Sequence, residues 1–147
     1  FGINYSILRY GHVYGPGQIK QKDVISIFIK NLLDNVILRI FGDGEEARDY
    51  IFIDDVVDAT LVAMVSAVGG TYNIGGGKPV STNDLVKIFG GELGNIKTEK
   101  IEIQGKVSDG AYMDISKAGT ELNWMPKVDI KTGLKETIDY YKKISTT

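Results

Sequence analysis

Residues 41–59 (FGDGEEARDYIFIDDVVDA) constrain this chain more than any other stretch. They run from an apolar strand end through a Gly-Asp-Gly turn, past a single arginine, into a β-prone run from Tyr50 to Ile53, and then to an aspartate pair suited to capping a helix. Strand, tight turn, strand and helix are therefore expected in immediate succession, an order that suits an α/β fold. Arg48 is at the centre of the stretch. Its guanidinium offers a planar fork for a phosphate or carboxylate, and the small residues around it let a ligand approach the backbone. The same local pattern also allows a plain ion pair with Glu45, Glu46 or Asp49.

Composition narrows the function classes. The chain has 147 residues, 43% of them hydrophobic, enough for one domain with a real core. With no cysteine there is no disulfide, thiolate metal site or cysteine nucleophile, and a single histidine excludes a two-histidine zinc site. A net charge of -2, with lysines scattered among acids, provides no basic face for nucleic acid. Apolar runs are broken by charge well short of a membrane span and no basic-then-apolar leader opens the sequence, so a cytoplasmic location is expected. The opening at Phe1, without methionine, reads like the middle of a longer protein.

In chain order, residues 5–10 read as a strand that feeds a glycine- and proline-bearing loop over residues 12–17, with Tyr10 and His12 at the strand end. The lone His12 is open to two readings, a ligand contact or a half-buried imidazole bonded to backbone. Asp23 is expected to cap a helix whose Ile25, Phe28, Ile29, Leu32 and Leu33 form one buried stripe. Residues 36–41 read as a strand with Leu38 and Ile40 on one side and Ile37, Arg39 and Phe41 on the other. After the aspartate pair a helix is expected to stop at Gly69 and Gly70, followed by a short strand over residues 71–74. The triplet Gly75–Gly77 before Lys78 lacks the spacing of a phosphate-binding loop, and Pro79 stands where a Ser or Thr should open the helix. Ser81 and Asp84 resemble a capping box for a helix ended by Gly90, Gly91 and Gly94. A half-exposed strand over residues 99–104, a loop over 106–112, a short helix from Asp114 or Ser116, and a final helix burying Ile130, Leu134, Ile138 and Tyr141 complete the chain.

Residues 8–17 (LRYGHVYGPG) and 42–56 (GDGEEARDYIFIDDV) together resemble the NAD-dependent epimerase/dehydratase family, the extended short-chain dehydrogenases that act on nucleotide sugars. Residues 72–76 (YNIGG), 81–85 (STNDL), 114–126 (DISKAGTELNWMP) and the start of the last helix at 133–138 (GLKETI) follow in family order, so the likeness covers nearly the whole chain. It implies an α/β chain that is the C-terminal, substrate-binding domain of such an enzyme over residues 1–147. Residues 1–17 and 71–77 would carry leftover strands that complete the Rossmann sheet, with the N-terminal Rossmann core absent. The family's glycine fingerprint does not occur, and no tyrosine is followed by a lysine four residues on. No catalytic residue is therefore expected in this chain.

By the same resemblance, Arg48 corresponds to the arginine that grips the nucleotide diphosphate, and Ile40 and Phe41 to the segment against which the base packs. Tyr10 and Gly11 correspond to positions bordering the nicotinamide end of NAD. His12 stands where many members carry a substrate-contacting asparagine, and Lys106 near where a second phosphate-gripping arginine is expected. NAD would serve the full-length parent, with none expected on this chain alone. The implied partners are a nucleotide-diphosphate sugar and the missing Rossmann domain, with no nucleic acid and no membrane, and self-association of the chain by itself is possible. A free-standing, non-catalytic binding or interaction module derived from the same domain is the other reading.

Overall fold

Side chains that bond to backbone amides decide where most of the helices begin. The computed structural model describes residues 2–18, 23–66, 68–103 and 110–145. Asp23 caps helix α1 (Val24–Leu33), its Oδ1 accepting from the amides of Ile25 (2.9 Å) and Ser26 (3.1 Å) while its own amide donates to Ser26 Oγ (3.4 Å). Helix α3 (Thr82–Leu93) opens on the same reciprocal device, built from Ser81 and Asp84. The Ser81 hydroxyl, then Lys87, holds the Asp84 carboxyl below the usual carboxylate range. Helix α5 (Ile130–Ser145) follows Asp129, whose carboxylate accepts from the amides of Lys131 (3.0 Å) and Thr132 (3.1 Å).

Three small sheets lie among these helices. Strand β1 (Ser6–Tyr10) pairs in parallel with β5 (Gly70–Ile74), Ser6 opposite Gly70 and Tyr10 opposite Ile74. Strand β4 (Ala47–Phe52) runs between β2 (His12–Tyr14), to which it is parallel, and β6 (Pro79–Ser81), to which it is antiparallel. Strand β3 (Leu38–Phe41) pairs in parallel with β7 (Thr98–Ile101). Helix α2 (Ile53–Val65) leaves directly from β4, and the short α4 (Ser116–Leu122) packs against β5.

The apolar run in β4 has a packing reason. Its alternate residues enter two different cores. Tyr50 and Phe52 join Tyr14, Phe28, Phe89, Leu134 and Ile138, whereas Ile51 joins Tyr72, Ile74, Leu122 and Trp124. One strand thus ties the α1–α3–α5 side of the molecule to the β5–α4 side.

Several expectations need correction. His12–Tyr14 is a strand, not the start of a loop, because it finds Tyr50–Phe52 in register beside it; the turn begins at Gly15. The aspartate pair does not cap α2. Asp54 and Asp55 lie inside its first turn, the N-cap is Phe52 with no side-chain bond, and Asp55 reaches across the molecule to the amides of Lys127 (2.9 Å) and Val128 (3.0 Å). Helix α2 stops at Val65, short of the glycines, and Gly70 opens β5 instead. Gly90 and Gly91 lie within α3, which ends only at Gly94, in a left-handed φ of 87°. Strand β3 begins at Leu38 rather than residue 36, and β7 runs Thr98–Ile101 where a strand over 99–104 is expected, residue 104 lying outside the described residues; both are bounded by the four residues that pair with each other. Among the described residues no helix is long and apolar enough to cross a membrane.

Candidate functional site

The turn after β3 and the strand after the turn build one wall of a cleft. Gly42 and Gly44 adopt φ of 67° and 79°, which reverses the chain sharply enough for β4 to follow at once. The turn is tied to the start of α3. Asn83 donates from Nδ2 to the Asp43 carbonyl (3.0 Å) and Glu45 Oε1 (2.7 Å), its amide donates to the Gly44 carbonyl (3.0 Å), and the Thr82 amide donates to the Glu46 carbonyl (3.3 Å). Asp43 Oδ1 accepts from the Glu45 amide (2.9 Å) within the turn. Arg48 leaves this anchored turn on β4.

On β4 the alternation separates two neighbouring charges. Arg48 and Tyr50 face a cleft of about 320 Å³, which His12 of β2, Arg39 and Phe41 of β3, Glu46, Asp23 and Thr82 also line. Asp49 turns the other way and is buried. Its carboxylate accepts from the amides of Gly76 (2.5 Å), Gly77 (3.2 Å) and Met113 (2.8 Å), which fixes the glycine turn and the segment before α4 against β4. The amides of Gly76 and Gly77 are thereby already engaged, a physical reason beyond spacing why this turn is poorly suited to cradle a phosphate.

Each cleft cation has a carboxylate beside it. Arg48 Nη2 donates to Glu46 Oε1, and Arg39 Nε lies 3.5 Å from Glu99 Oε2. Tyr50 is buried at the back of the cleft, its ring 5.8 Å from that of His12. Burial pushes its phenol up to about 12, with the Arg48 charge pulling the other way. Tyr50 is thus a neutral hydroxyl at ordinary pH, and Phe41, 62% exposed, presents an open aromatic face at the rim. An exposed ring, two guanidiniums and an imidazole around one hollow can hold a ligand that has both a flat apolar part and an anionic part.

Of the expected site residues, His12, Phe41 and Arg48 meet in this cleft. Ile40 does not, being 4% exposed and packed beneath Gly44. Tyr10 lies at the end of β1, its hydroxyl 3.0 Å from Thr60 Oγ1 on α2, and the Gly11 amide donates to the Ile74 carbonyl (2.9 Å). Both sit at the carboxyl end of the β1–β5 pair, the end of a parallel sheet at which α/β proteins bind ligands. Lys106 lies outside the described residues. Arg39 and Tyr50 are cleft residues that sequence reasoning missed, and Glu46 was named only as one of three ion-pair partners open to Arg48. The alternation that set Arg39 on the same side as Phe41 was the available signal. Among the described residues no cluster of three histidine, aspartate or glutamate side chains could hold a metal ion.

Comparison with known proteins adds an independent line. A profile of the NAD dependent epimerase/dehydratase family matches residues 1–75. A putative UDP-glucose 4-epimerase of Methanocaldococcus jannaschii is 38% identical over all of this chain and 48% of its own length. The crystal structure of UDP-glucose 4-epimerase with UDP-glucose from Thermotoga maritima superimposes with a TM-score of 0.88 and 38% identity, over 98% of this chain and 48% of that one. UDP-glucuronic acid 4-epimerase from Bacillus cereus, in complex with UDP-glucuronic acid and NAD, gives a TM-score of 0.87 and 33% identity, over 98% of this chain and 47% of that one. The chain spans about half the length of the curated relatives it matches.

Proposed function

Because this chain belongs to the NAD dependent epimerase/dehydratase family, we propose that it is the nucleotide-sugar-binding portion of an NAD-dependent epimerase or dehydratase. The observation that carries the reading is the meeting of Arg48, Phe41 and His12 in one cleft. Arg48 binds the diphosphate through its guanidinium fork, Phe41 offers its exposed face to the base, and His12 contributes a hydrogen bond at the sugar end. The named ligands of two similar structures, UDP-glucose and UDP-glucuronic acid, carry both a base and a diphosphate and so support this division of labour.

In the same proposal, Tyr10 and Gly11 border the nicotinamide end of NAD from the rim of β1. The Gly76 and Gly77 amides, committed to Asp49, are not offered to the pyrophosphate of the cofactor, and the acid/base chemistry falls to other residues, since no tyrosine here is followed by a lysine four residues on. Bound NAD would supply hydride transfer; what this chain's residues supply is the hold on the nucleotide that presents the sugar in one orientation. Residues 1–147 form the substrate-binding domain, with residues 1–17 and 71–77 completing the sheet of the cofactor-binding half, which is the partner of the β1 edge.

Calorimetric titration of UDP into the chain and its Arg48→Ala variant tests the reading. A loss of about 1.5–3 kcal/mol in binding free energy is expected for one charged hydrogen-bonding group. Wild-type affinity in the variant would return Arg48 to a purely structural ion pair.

A further inference from the structure

The cation assigned to the diphosphate is already occupied. Glu46 and Arg48 stand two apart on the extended chain entering β4, so both side chains fall on the cleft side, and Arg48 Nη2 donates to Glu46 Oε1. Their side chains are 42% (Arg48) and 30% (Glu46) exposed. The carboxylate therefore stands at the cleft surface, where an entering anion would meet it. What holds Glu46 in place is its backbone, through its carbonyl and the Thr82 amide (3.3 Å); it is the neighbouring Glu45 whose carboxylate is held by Asn83. Rotating the Glu46 side chain away therefore leaves the turn intact.

A phosphate oxygen and the Glu46 carboxylate seek the same N–H donors, and two anions side by side on one guanidinium repel each other. We propose that Glu46 is an internal anion that holds Arg48 in the ligand-free cleft and is displaced by the phosphate of the incoming ligand, which lowers affinity for phosphate-bearing ligands. The inference rests on the cleft being a nucleotide-diphosphate site. It gives Glu46 two effects of opposite sign. The carboxylate keeps the guanidinium positioned and compensated when the cleft is free, and it weakens the grip on a bound diphosphate, so that release is faster.

Glu46→Gln separates these effects, since glutamine keeps an acceptor oxygen for Arg48 and removes the charge. Calorimetry at low ionic strength compares UDP with uridine on the wild-type chain and on E46Q, with circular dichroism confirming that both are folded. E46Q is expected to bind UDP about fivefold more tightly, the factor for relieving the repulsion between two like unit charges about 4 Å apart in a water-like dielectric by removing one of them. Uridine affinity is expected to be unchanged, and the UDP gain to shrink as salt is raised. Equal or weaker UDP binding by E46Q, or an equal gain for uridine, would overturn the displacement mechanism while wild-type UDP binding upholds the site. Absence of UDP binding to both folded proteins would overturn the cleft assignment and this inference with it.

Discussion

Tyr50 shows how one residue serves packing and electrostatics together. It is 8% exposed, packs edge-on to Tyr14 with ring centroids 6.3 Å apart, and still forms the back wall of the cleft. Burial raises its ionisation to about 12 and raises that of Tyr14 as well. In the unfolded chain a tyrosine ionises near 10, so the contribution of Tyr50 to stability is fully present below pH 10 and is lost as pH rises toward 12. Urea unfolding at a series of alkaline pH values should show stability falling through that window, and less steeply in Tyr50→Phe. A variant with the wild-type slope would mean that Tyr50 ionises alike in both states. At this scale the site was only partly legible in the sequence. Arg48 stood out because a glycine turn precedes it and Phe41 only through the family resemblance, whereas Tyr50 read as one more β-former. The two buried aspartates were misread for a related reason: Asp49 and Asp55 satisfy amides at residues 76–77, 113 and 127–128, and no local pattern points so far along the chain.

Among the elements, α5 makes the sharpest stability test. Gly133 interrupts an otherwise good helix, and its lack of a side chain lets α5 settle onto two aromatic rings. A Cβ there would stand 2.8 Å from Phe52 Cδ2 and 2.9 Å from Tyr14 Cζ, both in the core. Gly133→Ala gains about 1 kcal/mol of helix propensity but meets an overpacking penalty of typically about 1–3 kcal/mol. Net destabilisation is expected by urea unfolding, and a more stable variant would show that α5 can lift off without penalty. Elements of this kind were legible. The apolar stripes of α1 and α5, the cap at Asp23 and the box at Ser81 are local signals, and helices follow local signals. Strand ends were less legible, since the bounds of β2, β3 and β7 are set by which partner lies alongside.

At the scale of the whole molecule the open feature is β1. Among the described residues it pairs with β5 alone, on one edge, and Tyr5, Ile7, Leu61, Met64 and Val65 are exposed on β1, α2 and the residues just before β1. A hollow of about 280 Å³ lined by Tyr5, Leu8, Met64 and Val68 lies between these elements. Parallel strands are ordinarily covered on both faces, and an unpaired edge invites another strand. The chain by itself is therefore expected to self-associate at micromolar concentration, and light scattering that finds a stable monomer would show that the edge is tolerated. The pairing of residues 6–10 with 70–74 was foreseeable once the family likeness was in hand, but the division into three small sheets was not, because sheet membership depends on β4 and its two cores. The reach of Asp55 also has a consequence for the order of events during synthesis. Its hydrogen-bond partners lie 72 and 73 positions further on, and a ribosome adds roughly 5–20 residues per second. For about 4–15 seconds after Asp55 has been added to the chain, this carboxylate has none of its native partners and stays hydrated, so the start of α2 reaches its buried position only after Lys127 and Val128 have been translated.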